Sequence, residues 1–182
     1  MLIFVGDCMD TPDVGIEIPE ISQIALVVED LEGAMERYRL VLGVEPWEVY
    51  YIGPPKREQS YYYGELTDAA FEVGYAEVNG FELEIIEPLE GESVHRDVLE
   101  EHSEGIHHVA CFAFDDPYEV ADAFEDAGIP IVQSGQWHDT HYMYFDTRDI
   151  MNGVYLETLA GGEYDPRPDY RCPQETDGDS AE

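Results

Sequence analysis

Gln23-Ile24-Ala25-Leu26-Val27-Val28 and His108-Val109-Ala110-Cys111-Phe112-Ala113 are two short apolar runs, each headed by a polar side chain. Each closes on acidic residues, Glu29-Asp30 and Asp115-Asp116. Both read as buried strands. Sliding one copy by 85 positions lays Gln23 on His108, Ala25 on Ala110, Asp30 on Asp115 and Gly43 on Gly128. An internal repeat of this kind predicts two copies of one supersecondary unit packed against each other.

Working outward, each strand is followed by a helical pattern. In the first copy Asp30 is the candidate N-cap, and Leu31, Ala34, Met35, Tyr38 and Leu42 share one face before Gly43 stops the helix. In the second, Asp115 or Asp116 caps, Pro117 suits the first turn, and Val120, Phe124 and Ala127 form the buried stripe before Gly128. Strand patterns follow in both halves. They cover 47–52, 71–78 and 81–86, with Asn79-Gly80 as a hairpin turn, and then 129–133, 141–145 and 154–159. The expected fold is therefore α+β, two tandem βαβββ modules at about 20–90 and 104–160 within one domain spanning 20–160.

Residues 1–19 read as an N-terminal extension, an edge strand or arm, and 161–182 as a flexible acidic tail rich in Gly and Pro. The first module is 12 residues longer than the second between its paired positions. The surplus falls in Gly53–Ala70, a Pro- and Tyr-rich stretch expected to be a loop over the site. Lys56-Arg57 within it reads as a solvated charge pair.

Net charge is −34, from 42 acidic and 8 basic residues, and Lys56 is the only lysine. That balance excludes a nucleic-acid partner, which needs a basic patch to displace counterions, and excludes an anionic membrane surface. Carboxylates spread over every segment suggest a solvated surface suited to concentrated salt, where the Debye length falls to about 3 Å near 1 M. A halophilic, cytoplasmic protein is expected: no run approaches the roughly 20 apolar residues of a membrane span, and the opening residues lack a signal-peptide pattern. Cys8, Cys111 and Cys172 form neither a zinc pair nor a disulfide framework.

The repeat also pairs chemistry. Gln23 and His108 head the first strands, while Glu84 and Glu157 occupy matching places in Leu83-Glu84-Ile85-Ile86 and Leu156-Glu157-Thr158-Leu159. A lone Glu among apolar strand residues is costly to bury unless paired or metal-bound. Singly, each residue could face solvent from an edge strand, and Glu82 shares a face with Glu84. Jointly they predict convergence on one divalent cation, with an amide oxygen, an imidazole nitrogen and two carboxylates suited to Zn, Co, Ni, Mn or Fe. His107, by alternation, is expected to point away behind the strand.

These residues resemble the vicinal oxygen chelate superfamily of glyoxalase I, methylmalonyl-CoA epimerase, extradiol dioxygenases and bleomycin-resistance proteins. The resemblance spans about 20–160 and rests on the strand from Gln23 through Leu31, Tyr38, Leu42-Gly43, Glu84-Ile-Ile-Glu-Pro88, Gly105-Ile-His-His-Val-Ala110 and Gly153-Val-Tyr-Leu-Glu157. It looks closest to the epimerase and glyoxalase branches. It implies a cup-shaped sheet around a metal held by Gln23, Glu84, His108 and Glu157. It also implies a homodimer, and an isomerase, epimerase or lyase that removes a proton next to a carbonyl. Glu157 is the base by that resemblance, and Glu84 acts on the opposite face.

The implied substrate is a small molecule, an acyl thioester or a 1,2-dicarbonyl adduct. The cations available for coenzyme A phosphates are Lys56, Arg57, Arg96 and Arg148, while Trp47, Tyr61-Tyr62-Tyr63, Trp137 and Tyr142 are candidate pocket walls. A non-catalytic, resistance-type binder is the alternative. A ring-cleaving dioxygenase ranks third, since iron there needs two His and Gln23 at the first position argues against it, though His138 and His141 are candidates for recruitment.

Overall fold

The computed structural model describes residues 13–161 and 167–173, apart from the side chain of Glu58. The expectations for residues 1–12, 162–166 and 174–182 lie outside the described residues. The first module runs β1 (Gln23–Val27), α1 (Leu31–Leu42), β2 (Trp47–Ile52), β3 (Arg57–Tyr62), β4 (Glu65–Leu66), β5 (Ala70–Val78) and β6 (Phe81–Glu90). A linking helix, α2 (Val94–His102), leads to the second: β7 (Gly105–Ala110), α3 (Pro117–Asp126), β8 (Ile131–Trp137), β9 (Thr140–Phe145) and β10 (Tyr155–Gly161). A last strand, β11 (Tyr170–Cys172), follows.

The strands form one mixed sheet in the order β11-β2-β5-β6-β1-β7-β10-β9-β8-β3-β4. Its centre obeys the repeat. β1 and β7 pair antiparallel, with Gln23 opposite Ala110, Ile24 opposite Val109 and Ala25 opposite His108. Adding 85 to each first-module number exchanges the first and last of these pairs and leaves the middle one on a local two-fold axis. The flanking parallel pairs carry the same relation outward: Ala25 faces Glu84 on β6, and Ala110 faces Glu157 on β10. The sheet curls so that its two wings meet, with Trp137 of β8 packing edge-on against Tyr50 of β2 at 5.5 Å between centroids. A cup results.

Helices α1 and α3 cover the outer face, while α2 packs on the inner side, its Val94 and Val98 against Val27, Tyr142, Tyr144 and Tyr155. Asp30 accepts from Gly33 N at 3.0 Å and starts α1, and Gly43 ends it at φ 69°, where a side chain would be strained. Leu31, Ala34 and Met35 are buried, the two large ones contributing roughly 2–3 kcal/mol each. Gly74 of β5 permits that approach, because a Cβ there would meet Met35 Sδ at 2.9 Å. Asp116 caps α3, and Val120, Ala121 and Phe124 are its buried face. Leu42 departs from expectation: it is 66% exposed, because the last turn of α1 runs beyond the surface on which Tyr38 and Trp47 pack.

Other elements also differ from the sequence reading. The stretch 53–70 is a hairpin, not a loop, and β3 crosses to the second module to pair with β8. Its inward residues, Arg57 and Ser60, are polar, so no hydrophobic alternation marks it as a strand. Within the stretch read as a flexible tail, Tyr170–Cys172 pairs antiparallel with β2. The helix α2, capped by Ser93, lies outside the sequence reading, although Val94 and Val98 at helical spacing are among its buried residues. No helix among the described residues is long and apolar enough to cross a membrane.

Candidate metal centre

The four paired side chains meet at the bottom of the cup. His108 Nε2 lies 3.0 Å from Gln23 Oε1, 3.0 Å from Glu157 Oε2 and 3.2 Å from Glu84 Oε2. All four residues are almost fully buried. They arrive there because each comes from one of the four central strands, two from each module, at positions the local two-fold relates. Three oxygens face one nitrogen that carries at most one N–H, so at least one of them is left without its own donor, and Glu84 Oε2 is the most distant of the three. Two buried carboxylates against one imidazole leave negative charge uncompensated, which costs several kcal/mol unless a further cation joins them. The spacings match adjacent ligands around an ion with bonds of roughly 2.1 Å. The buried His/Glu group has the donor chemistry to bind a divalent metal.

Electrostatics follow from the crowding. Burial favours the neutral form of His108, but Glu157 and Glu84 outweigh it and raise its pKa to about 9. Burial raises the Glu157 pKa, opposed by His108, with Glu84 adding to the rise and a hydrogen bond from Tyr144 opposing it. Glu82, placed on the same face as Glu84 as the sequence suggested, takes part: its Oε1 accepts from Gln23 Nε2 at 2.6 Å. That bond turns the amide oxygen of Gln23 toward His108. Burial and the Glu84 charge push the Glu82 pKa up to about 7.

His107 does not point behind the strand. The pairing of β1 with β7 skips it, Ala25 opposing His108 and Leu26 opposing Ile106, so His107 is the extra residue of a β-bulge. The bulge turns both His107 and His108 inward, with their Nδ1 atoms 2.8 Å apart. This leaves His108 Nε2 as the nitrogen that faces the oxygens. His95 of α2, which the sequence reading missed, packs at a tilt against His107 at 4.5 Å between centroids. Burial holds both His95 and His107 well below the usual histidine pKa.

Above the donors opens a cavity of about 190 Å³. Its walls are aromatic, with Tyr50, Phe71, Tyr75, Trp137, Tyr142 and Tyr144, and its polar side carries Glu48 and Glu82. Of the candidate wall residues, Trp137 and Tyr142 line it, whereas Trp47 is sealed in the core beneath α1. Tyr61, Tyr62 and Tyr63 lie elsewhere: the Tyr62 hydroxyl donates to Asp97, and Tyr63 is exposed. His141 stacks on Tyr118 and lines a separate surface cavity, and His138 sits in the β8–β9 turn, so neither joins the donors. Arg96 is spent on the carbonyls of Gly91 and Leu89, and Arg148 on Asp146. Lys56 pairs with Asp169 at the surface. Arg57 is no solvated loop charge, being 5% exposed.

Two βαβββ modules curled into a cup, with a His, two Glu and a Gln converging from the four central strands, define the vicinal oxygen chelate class. The chain belongs to the glyoxalase/bleomycin resistance protein/dioxygenase superfamily, whose family model matches residues 22–145. Among curated relatives it is similar to ethylmalonyl-CoA/methylmalonyl-CoA epimerase of Cereibacter sphaeroides, 28% identical over 145 residues covering 77% of this chain and 96% of that one. Among solved structures it is similar to methylmalonyl-CoA epimerase from Mycobacterium tuberculosis, with TM-score 0.58 and 18% identity over 80% of this chain and 90% of that one. A Streptomyces coelicolor methylmalonyl-CoA epimerase variant in complex with 2-nitronate-propionyl-CoA aligns with TM-score 0.58 and 19% identity, over 81% of this chain and all of that one. At such identities the structural likeness speaks for the fold.

Proposed function

We propose that this chain is a divalent-metal-dependent epimerase that removes and returns a proton on the carbon next to the carbonyl of an acyl thioester. One observation carries the reading: three buried oxygens surround His108 Nε2 with too few protons among them, beneath a cavity. Gln23, Glu84, His108 and Glu157 would hold the ion. When bound, the metal supplies Lewis-acid stabilisation of negative charge developing on the substrate's carbonyl oxygen.

The protein's own groups do the rest. Glu157 is the base, its carboxylate accepting the proton at one face of the carbon, and Tyr144 orients that carboxylate. Glu84 returns a proton at the other face, which inverts the centre. The aromatic walls exclude water, so the carbanion is not quenched at random. Similarity to epimerases named for methylmalonyl-CoA and ethylmalonyl-CoA supports the choice of substrate. A homodimer working in a cytoplasm of high salt belongs to the same reading.

Incubating metal-loaded protein with methylmalonyl-CoA in D2O tests the proposal. Deuterium is expected at the carbon bearing the carboxylate, and Glu157→Gln is expected to slow its entry by about 10²- to 10⁴-fold. Binding of the thioester without exchange would favour the non-catalytic binder. Exchange only into a 1,2-dicarbonyl adduct of a thiol would move the assignment to glyoxalase chemistry.

A further inference from the structure

His107 is a buried imidazole that the chemistry at the four donors does not use. It is the extra residue of the bulge in β7, and the bulge sets its side chain on the same side as that of His108. The ring is fully buried and packs at a tilt against two others, His95 of α2 at 4.5 Å and Tyr155 of β10 at 5.0 Å between centroids. Two separate elements therefore hold its orientation. So held, its Nδ1 lies 2.8 Å from Nδ1 of His108.

A contact of that length between two ring nitrogens needs one proton between them, and the surroundings decide which ring supplies it. Val94 bears on His107 with its backbone. The Val94 N–H is taken by Gln133 Oε1 at 2.9 Å, so the group it turns to His107 is the carbonyl, an acceptor. Nε2 of His107 makes no full hydrogen bond there, yet an acceptor beside the ring favours keeping the N–H on that nitrogen. Burial keeps the ring neutral, with one proton only. With that proton on Nε2, Nδ1 of His107 presents a lone pair to His108. The opposite arrangement fails twice. It would set the lone pair of Nε2 against a carbonyl, and it would leave the one proton of a neutral His108 on Nε2, the atom that faces Gln23, Glu84 and Glu157.

We infer that His107 is a positioning residue of the metal centre, accepting a hydrogen bond from His108 Nδ1–H and so holding His108 with the lone pair of Nε2 turned to the ion. A ligating histidine that gives its second N–H to a fixed acceptor has its tautomer and ring orientation set by that acceptor. Here the acceptor is another imidazole, itself held between α2 and β10. Metal arriving at Nε2 replaces the proton on that atom while the ring stays in place. The inference rests on the reading of His108 as a ligand, but the hydrogen bond itself does not require an ion.

Zn2+ affinity of the full chain, measured by chelator competition, tests this in two variants of opposite character. His107→Asn keeps an acceptor oxygen near the place of Nδ1 but fills the surrounding space poorly. His107→Leu fills that space and has no acceptor. His107→Leu is expected to bind Zn2+ about ten- to a hundredfold more weakly than the wild type, with His107→Asn recovering most of the loss. Wild-type affinity in His107→Leu overturns the positioning role. So does binding by His107→Asn no tighter than by His107→Leu, which would make packing the residue's function. Nitrogen NMR of the zinc-loaded wild type needs no variant and decides where either one fails to fold. It should show His108 bound through Nε2, with an exchange-protected proton on Nδ1 coupled to Nδ1 of His107. A proton belonging to His107 Nδ1, or zinc on His107 itself, refutes the inference. Failure of the wild type to bind Zn2+ would remove the metal-centre reading, and the same spectrum of metal-free protein would then decide the hydrogen bond: a proton on His108 Nδ1 and none on His107 Nδ1 keeps it, and the reverse discards it.

Discussion

Metal uptake by this site should be a proton exchange, and its size can be worked from the geometry. His108 Nε2 is the atom that must give up a proton to become a ligand. Burial opposes its charge, yet Glu157 and Glu84, 3.0 and 3.2 Å away, raise its pKa to about 9. At pH 7.5 nearly every molecule therefore carries that proton, and binding a dication releases it. Affinity should fall about tenfold, or about 1.4 kcal/mol, for each pH unit below 9. Between pH 9 and 7 the loss is about a hundredfold, and it steepens further down as Glu157, raised by burial, takes up its own proton.

Titration calorimetry with Zn2+ or Co2+, in buffers of differing ionisation enthalpy from pH 6.5 to 8.5, counts the protons directly. About one per ion is expected at pH 7.5. In Glu157→Gln the count should drop, because the largest charge holding the His108 proton is gone. The same coupling acts on folding of the metal-free protein. An unfolded histidine titrates near 6.5, so the stabilisation from charged His108 is complete below that pH and is lost as pH rises through about 9. Affinity independent of pH, with no proton released, would refute the reasoning.

Two further outcomes concern stability. His95 is buried neutral with its pKa held well below normal by burial, so below pH 6 the unfolded chain binds a proton that the folded one does not; there stability rises with pH. Relative to the wild type, His95→Leu should remove about 1.4 kcal/mol per pH unit of that acid sensitivity, read from urea unfolding at pH 5 and 6; identical slopes would place His95 in water. With a net charge of −34, Tm should climb between 0.1 and 3 M KCl, and a flat profile would contradict a surface adapted to salt.

The repeated core was legible because both of its signals are local and periodic: apolar strands with polar heads, then helices with Asp caps and Gly stops. The 85-residue offset reappears as the register of β1 on β7, with Ile24 and Val109 on the axis. What escaped the sequence depends on long-range pairing. Alternation put His107 behind the strand, but a bulge breaks alternation and cannot be read from Ile-His-His-Val. Arg57 looked solvated beside Lys56 because its burial is imposed by β8, in the other module. Leu42 keeps the helical period of Leu31 and Met35, yet periodicity does not say where the surface beneath a helix ends. His95 sits on a short charged helix whose role emerges only once α2 closes over β7.

A crystal of the protein grown with Co2+ or Zn2+ and measured by anomalous scattering tests the central claim most directly. The account predicts one strong peak within about 2.0–2.3 Å of Gln23 Oε1, His108 Nε2 and a carboxylate oxygen from each of Glu84 and Glu157. Metal bound elsewhere, or those four side chains meeting without an ion in a protein that still exchanges the substrate proton, would contradict it.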